Sequence, residues 1–374
     1  MNQKFERFLS LDVFRGMALC FMIIVNTPGG GATPFAMLEH AAWHGFTPTD
    51  LVFPSFLFAV GNAMSFSMKK FNGMDNSQVL LKIFKRTFLI FIIGYLLSWF
   101  PFFRYDAQGH MIATPLANTR IFGVLQRIAL CFGIASLMIH YLSTRTVIWL
   151  SAVFLLGYWA ILLFCGQQGS ELTMTGNVGY FIDKYLLGES HMYHGEGIAF
   201  DPEGILSTFP SIVNVVIGYF AGKFIQEKGK GFETIAKVMF AGCVLLLIAL
   251  TWNLILPFNK KIWTSSFVML TCGIDMLLIG SLIFLIEVKQ YTKWTNFFVV
   301  FGKNPLFIYI VADLLGQLLE LIFPNAHILE WFNDHICQAI APGPWGSLLF
   351  AIGYMLACWL VGFILDKRKI YIRV

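Results

Sequence analysis

Long apolar stretches recur along the whole chain, separated by short polar segments. A helix needs about 20 mostly apolar residues to span about 30 Å of hydrocarbon. Ten stretches fit, and they predict helices over residues 10–27, 50–68, 86–103, 121–141, 147–165, 207–225, 235–256, 265–287, 304–323 and 346–365. No polar block is large enough for a second domain, so the pattern predicts an all-α polytopic membrane protein with residues 1–374 in a single domain.

The composition supports this prediction, because 57% of the 374 residues are hydrophobic and only 13% are charged. The mean hydropathy of +0.70 is too high for a soluble globular protein. The net charge of +5 is therefore not read as nucleic-acid binding, since most basic residues cluster in alternate loops. The positive-inside rule then places both termini in the cytoplasm. The first apolar stretch contains Asp12 and Arg15 and has no cleavage site after it, so we expect a retained helix.

With both termini inside, seven of the eight histidines fall on the outer side of the membrane. The longest outer loop, residues 166–207, joins the fifth and sixth helices, and we expect it to fold over the bundle as a lid. Its His191 and His194 lack the further ligands of a typical zinc site. The seven cysteines are scattered over the apolar stretches, which argues against disulfides and thiolate sites. We therefore expect no metal.

Candidate chemistry concentrates where the second helix begins. His40, His44 and Asp50 lie just before or at this helix, and histidine titrates near neutral pH. Asp50 has two interpretations: it caps the helix, or it orients a catalytic imidazole. His40 likewise is either a hydrogen-bonding loop residue or a base. Asn26, at the outer end of the first helix, adds an amide at the same depth.

Charged residues inside the predicted helices need internal partners or a ligand. Asp12 and Arg15 are three residues apart, which fits an ion pair or a site for an anionic cofactor. Arg127 lies well inside the fourth helix and needs an acidic partner, a cavity or a bound anion. Asp313 and Glu320 are seven residues apart and share a helix face, which serves helix pairing or a polar cavity equally well.

Several motifs together resemble the bacterial branch of the heparan-α-glucosaminide N-acetyltransferase family, within the transmembrane acyltransferase superfamily. They occur in order over nearly the whole chain: Arg7-x-x-Ser10-x-Asp12-x-Phe14-Arg15-Gly16, His40-Ala-x-Trp43-x-Gly45-x-Thr47-x-x-Asp50, Arg120-Ile-x-Gly123-Val-Leu-Gln-Arg127, Asp201-Pro-Glu203-Gly204, Asn259-Lys-x-x-Trp263 and Phe301-Gly-Lys303-Asn304-Pro305.

The resemblance implies transfer of an acetyl group from acetyl-CoA, as co-substrate, to the amine of a glucosamine-like sugar at the outer face. It also implies location in the bacterial inner membrane. By motif position His40 corresponds to the active histidine and Asn26 to an asparagine near the thioester, with Asp50 orienting the imidazole. His40 acts as a base in a ternary complex, which we favour, or as an acetyl carrier.

Two further sets of residues follow from this implied activity. The phosphates of CoA need cations inside the bundle, and the candidates are Arg15, Arg120, Arg127 and Lys303. The candidates for contact with the sugar are Trp43, His44, Asp201 and Glu203.

Two other functions stay open at this stage. Ten helices with buried charges also suit a transporter of amino sugars or other polar solutes, and the superfamily includes O-acyltransferases of cell-envelope glycans. A homodimer is also possible, although no stretch of sequence indicates an interface.

Overall fold

The computed structural model describes residues 8–71, 73–105, 108, 110–323 and 327–372. Arg7, which opens the first motif, lies outside these residues. The long helices are α1 (Leu9–Asn26), α2 (Pro48–Ser67), α3 (Asn76–Trp99), α4 (Val124–Tyr141), α5 (Thr144–Cys165), α7 (Thr208–Lys228), α8 (Phe232–Asn253), α9 (Ser265–Leu282), α11 (Pro305–Ile322) and α14 (Pro344–Lys367).

Shorter elements connect them. The short helices are α6 (Val178–Leu187), α10 (Thr295–Lys303), α12 (Ile328–Phe332) and α13 (Gln338–Ile340), and β1 (Phe103–Tyr105) pairs antiparallel with β2 (Met111–Ala113). A π-helical turn over Ile283–Val288 extends α9, and Asn333–Cys337 forms a second one. All seven cysteines lie in the described residues and are free.

The all-α membrane architecture is confirmed. Nine of the long helices in the described part of the chain are long and apolar enough to cross a membrane. The tenth, α3, is 24 residues long but carries Lys82, Lys85 and Arg86 in its first half. It begins ten residues before the predicted position, because Asp75 caps a polar extension of the apolar stretch by accepting from the Ser77 N–H.

The helices form an inner and an outer set. Between 56% and 67% of the most apolar part of α1, α2, α4, α7 and α9 is buried inside the protein, against 28% for α5 and α8. Only 6% of α11 is buried. The inner helices approach closely through glycines: a Cβ added at Gly61 of α2 would lie 2.0 Å from the Val215 carbonyl oxygen of α7. Small residues at such contacts are typical of membrane bundles.

Because the long helices alternate in direction, one face of the bundle carries the end of α1 and the starts of α2, α4, α7 and α9. We call it the site face. The opposite terminal face carries the start of α1 and the end of α14. The predicted loop after α5 is folded on the site face, with α6 inside it and the Trp43 Nε1–H donating to the Leu172 carbonyl at 2.8 Å.

Candidate active site

The His40 imidazole is held by the carboxylate that begins α2. Asp50 Oδ2 accepts hydrogen bonds from the backbone N–H of Thr47 at 3.0 Å and of Ala41 at 3.2 Å, and the first of these is part of a capping box. Asp50 Oδ1 lies 2.7 Å from Nδ1 of His40. One carboxylate therefore does both things that the sequence left as alternatives: it caps the helix and orients the ring.

The proton position on His40 follows from this contact. Asp50 is 1% exposed, and an ionised carboxylate only accepts hydrogen bonds. In neutral His40 the proton is therefore assigned to Nδ1, which leaves the lone pair on Nε2 available. The side chain is 40% exposed. The ring has the tautomer and the access that a general base needs.

The ring faces a cavity of about 230 Å³ on the site face. This cavity unites residues from distant parts of the chain: Asn26, His40, Asp50, Arg120, Tyr193, Glu196, Glu203, Lys260 and Lys261 are among those lining it. Asn26 comes from α1, His40 from the loop before α2, and the glutamates from the loop after α5. The three residues predicted as catalytic, Asn26, His40 and Asp50, thus lie around one space.

Lys260 was not predicted as a site residue, yet its side chain contacts the His40 ring. Nζ lies 3.0 Å from Nε2 and 3.1 Å from Nδ1, so it contacts the ring at nearly equal distances from both nitrogens. Burial lowers the pKa of Lys260, opposed mainly by the charges of Asp50 and Glu203. The available signal was the place of Lys260 in a motif of the resemblance, in one of the loops that hold few basic residues.

Arg120 is neutralised on the same wall of the cavity. Its Nε and Nη2 bind Asp201 at 3.1 and 2.7 Å, and Nη2 also lies 2.6 Å from Glu203 Oε2. Burial alone would lower the pKa of Arg120, but Glu203 and Asp201 raise it. The Tyr193 ring lies 4.5 Å from the guanidinium carbon. Arg120 already has two carboxylate partners, and it lies on the site face.

Arg127 is fully buried in α4 and binds the start of α7. Its Nη2 donates to the Gly204 carbonyl at 2.9 Å and to the Ser207 hydroxyl, while Nη1 donates to Ser211 Oγ at 3.1 Å. The guanidinium carbon is 5.1 Å from the Trp263 ring centre. These contacts supply the internal partners that a buried charge requires.

The other two predicted cofactor ligands lie near the terminal face. Arg15 pairs with Asp12 at 3.2 Å, and Lys303 binds both oxygens of Asp366 at 2.7 and 2.8 Å. They are close in the fold, because a Cβ added at Gly302 would lie 2.7 Å from the Asp12 carbonyl oxygen. The four predicted cations therefore form two separate pairs, one toward each face.

Trp43 and His44 do not line the cavity. The Trp43 ring packs on Phe200 at 5.7 Å, and His44 Nδ1 lies 3.4 Å from the side-chain nitrogen of Asn259. Burial lowers the pKa of His44. Of the four predicted sugar contacts, only Glu203 lines the cavity, and Asp201 lies behind Arg120. Trp43 and His44 join the His40 segment to the loops after α5 and α8.

A second cavity of about 340 Å³ lies on the other side of α1. Asp313 and Glu320 of α11 both line it, together with Tyr309. Of the two alternatives that their spacing left open, this is the polar cavity. Asn26 and Met22 line both cavities. The end of α1 therefore lies between the two cavities, and Asn26 lines both of them.

A family model described as "Heparan-alpha-glucosaminide N-acetyltransferase, catalytic" matches residues 7–251, which is more than half of the chain. The chain belongs to the heparan-α-glucosaminide N-acetyltransferase family. The resemblance inferred from the motifs is thereby confirmed. Within the family, the human protein named heparan-alpha-glucosaminide N-acetyltransferase is 27% identical over 98% of this chain, and the mouse protein of the same name is 26% identical over 99%.

This chain covers 60% and 61% of the length of those two family members. The region matched by the family model contains Asn26, His40 and Asp50, but it ends before Lys260. The family match therefore includes the predicted base, His40, and the carboxylate that contacts it.

Proposed function

We propose that the protein is a membrane-embedded acetyltransferase that moves an acetyl group from acetyl-CoA to the amine of a glucosamine-like sugar. The observation that carries this proposal is the His40–Asp50 pair, in which Asp50 holds Nδ1 and the ring lies in a cavity also lined by Asn26. The names of the family and of its two mammalian members support the same reaction class.

The chemistry follows from these residues. The neutral amine attacks the thioester carbonyl, and Nε2 of His40 takes the proton that the nitrogen loses. Asp50 stabilises the imidazolium that forms. The Asn26 amide donates to the oxyanion. The intermediate expels the CoA thiolate, which receives the proton from His40. One histidine is sufficient for this ternary route, so we favour it over an acetyl-histidine intermediate.

Charge and length support a placement for acetyl-CoA. Arg15 and Lys303 supply cations near the terminal face for the phosphates, with Lys303 at the end of α10. Eleven residues of α1 separate Arg15 from Asn26, which is a rise of roughly 16 Å. A pantetheine arm extended along α1 would cover this distance, and the second cavity lies along its outer part, from Met22 to Asn26. Arg15→Gln and Lys303→Gln should each raise KM for acetyl-CoA and leave KM for the sugar unchanged; the opposite pattern contradicts this placement.

The orientation is also a proposal, with the terminal face cytoplasmic in a bacterial inner membrane and the sugar approaching from outside. The distribution of basic residues supports it. Cysteines introduced at Tyr185 and Lys289, both exposed, test it after the exposed Cys165 and Cys243 are changed to serine. An impermeant maleimide should label intact cells at position 185 only; labelling at 289 alone contradicts the orientation.

A direct assay tests the function. Purified protein is incubated with acetyl-CoA and either glucosamine or glucose, and free CoA thiol and acetylated sugar are measured. We expect thiol release with N-acetylglucosamine as product, and no acetylation of glucose. Acetylation of glucose would indicate O-acyl transfer, and uptake of glucosamine into proteoliposomes without thiol release would indicate transport. Either result rejects the proposal.

A further inference from the structure

A side-chain amine of the protein itself, that of Lys260, lies beside the proposed base His40. Lys260 Nζ lies 3.0 Å from Nε2 and 3.1 Å from Nδ1 of His40, so it sits against the ring, next to the nitrogen proposed as the base. The proposed acceptor is also a primary amine beside this nitrogen. Lys260 therefore stands beside the position proposed for the acceptor amine.

The position of Lys260 is fixed by the turn between α8 and α9. Asn259 is fully buried, its backbone N–H donates to Thr264 Oγ1 at 3.1 Å, and its side-chain oxygen accepts from the Ile262 N–H at 3.0 Å. Lys260 follows this anchored residue directly. Its side chain thus enters the cavity from a rigid turn.

Lys260 also differs electrostatically from its neighbour Lys261. Lys261 Nζ is paired with Glu196 Oε2 at 2.5 Å. Lys260 faces His40, Asp50 and Glu203, with Glu196 and Lys261 further contributing to the field. Burial lowers the pKa of Lys260 against the pull of the carboxylates, which increases the share of neutral, nucleophilic amine.

We propose that Lys260 is a resident acceptor, which takes the acetyl group from acetyl-CoA when no sugar occupies the cavity. This inference rests on the proposed function. The neutral Nζ attacks the acetyl carbonyl carbon, a C–N bond forms and the C–S bond breaks. His40 Nε2 takes the proton from the nitrogen and passes it to the departing thiolate, which leaves as free CoA.

The product restrains the enzyme. An acetyl-lysine amide is not a leaving group that the sugar displaces readily, and it retains its position against His40. Preincubation with acetyl-CoA alone should therefore cause a time-dependent loss of activity, and bound sugar should prevent it. When the sugar acceptor is scarce, acetylation of Lys260 therefore stops the enzyme from consuming more acetyl-CoA.

The test uses the purified full chain with acetyl-CoA and no sugar, followed by proteolysis and mass spectrometry of the lysine peptides. Lys261 is the matched neighbour, and Lys289, which is exposed, reports uncatalysed acetylation. We expect Lys260 to gain an acetyl group at least about a hundredfold faster than either, the scale of general-base catalysis. Glucosamine and the His40→Ala substitution should each remove this excess.

The contrary results are distinct. Acetylation of Lys260 at the rate of Lys289, in a preparation that converts glucosamine to N-acetylglucosamine, overturns the resident-acceptor proposal and leaves the enzymatic function standing. Excess acetylation that persists in His40→Ala overturns it too, because the base would then have no part in it. Failure to acetylate glucosamine and Lys260 alike rejects the function and the inference together.

Discussion

At the scale of single residues, Asp50 connects the local backbone to the chemistry. Its Oδ2 fixes the start of α2 and its Oδ1 fixes the tautomer of His40. Asn can accept through one oxygen, but it cannot hold a negative charge beside an imidazolium. Substituting Asp50 therefore separates the capping role from the electrostatic role.

We predict that Asp50→Asn lowers kcat by about 10²- to 10⁴-fold, as expected when a base loses its orienting carboxylate. KM for acetyl-CoA should change little. The matched control is Asp75→Asn, which alters another helix cap through its bond to Ser77 on the terminal side. Steady-state kinetics decide, and an Asp50→Asn variant with more than about a tenth of the normal kcat would refute the assigned role.

The contact between two candidate site residues was predictable where they lie close together in sequence. His40 and Asp50 are ten residues apart, and their order before an apolar helix is visible without a structure. Lys260 is 220 residues from His40, and only the folded bundle brings the two together. The same limit applies to Arg120, whose pairing with Asp201 and Glu203 depends on the path of the loop after α5.

At the scale of elements, the contact between α2 and α7 depends on the absence of side chains. A Cβ at Gly61 would lie 2.0 Å from the Val215 carbonyl oxygen, and backbone cannot move aside as a side chain does. Gly157 in α5 has open space around it. The same Gly→Ala substitution therefore meets packed backbone at position 61 and open space at position 157.

Gly61→Ala should destabilise the protein by about 1 to 3 kcal/mol through overpacking. Gly157→Ala should be neutral or stabilising by up to about 1 kcal/mol, because alanine favours helix. Thermal midpoints in the same detergent provide the comparison. Equal midpoints for the two variants would show that α2 and α7 are not in such close contact.

A buried acid joins two parts of the loop after α5. Asp183 of α6 accepts from the Ile205 N–H at 2.9 Å, and burial raises its pKa to about 7. A carboxyl whose folded pKa is raised binds its proton more tightly in the folded state. It therefore stabilises the fold fully below its unfolded value near 4, and this contribution is lost as the pH rises through 7.

Asp183→Asn keeps an oxygen for the Ile205 N–H and removes the titration. The stability of this variant relative to the natural protein should therefore increase from pH 4 to pH 8, by on the order of 4 kcal/mol. Unfolding curves across this range measure it, with Glu189→Gln, at an exposed position just after α6, as control. A difference that is constant with pH would mean that Asp183 is ionised throughout.

Element boundaries were predictable where apolar length alone sets them. The observed α4, α7 and α9 begin within three residues of their predicted starts. The polar start of α3 and the whole of α6 were missed, because hydropathy marks the part of a helix inside the bilayer and says little about helix outside it. Pro305 marks the break between α10 and α11 at its first-turn position.

At the scale of the whole molecule, the even number of long helices brings the chain ends to one face and the candidate chemistry to the other. Hydropathy and charge were enough to predict this arrangement. They did not predict that two cavities meet at Asn26, because cavity shape depends on how helices pack and not on how apolar they are. In the proposed function, this meeting point is where the two substrates approach His40.

The measurement that tests this account most directly is acetyl transfer by His40→Ala, combined with acetyl-CoA binding to the same variant. We expect free-thiol release with glucosamine to fall by at least about 10²-fold, while the affinity for acetyl-CoA is retained. His140→Ala, on the terminal side of α4, should behave as the natural protein. Turnover by folded His40→Ala at a rate close to normal would contradict the assignment of this imidazole as the base.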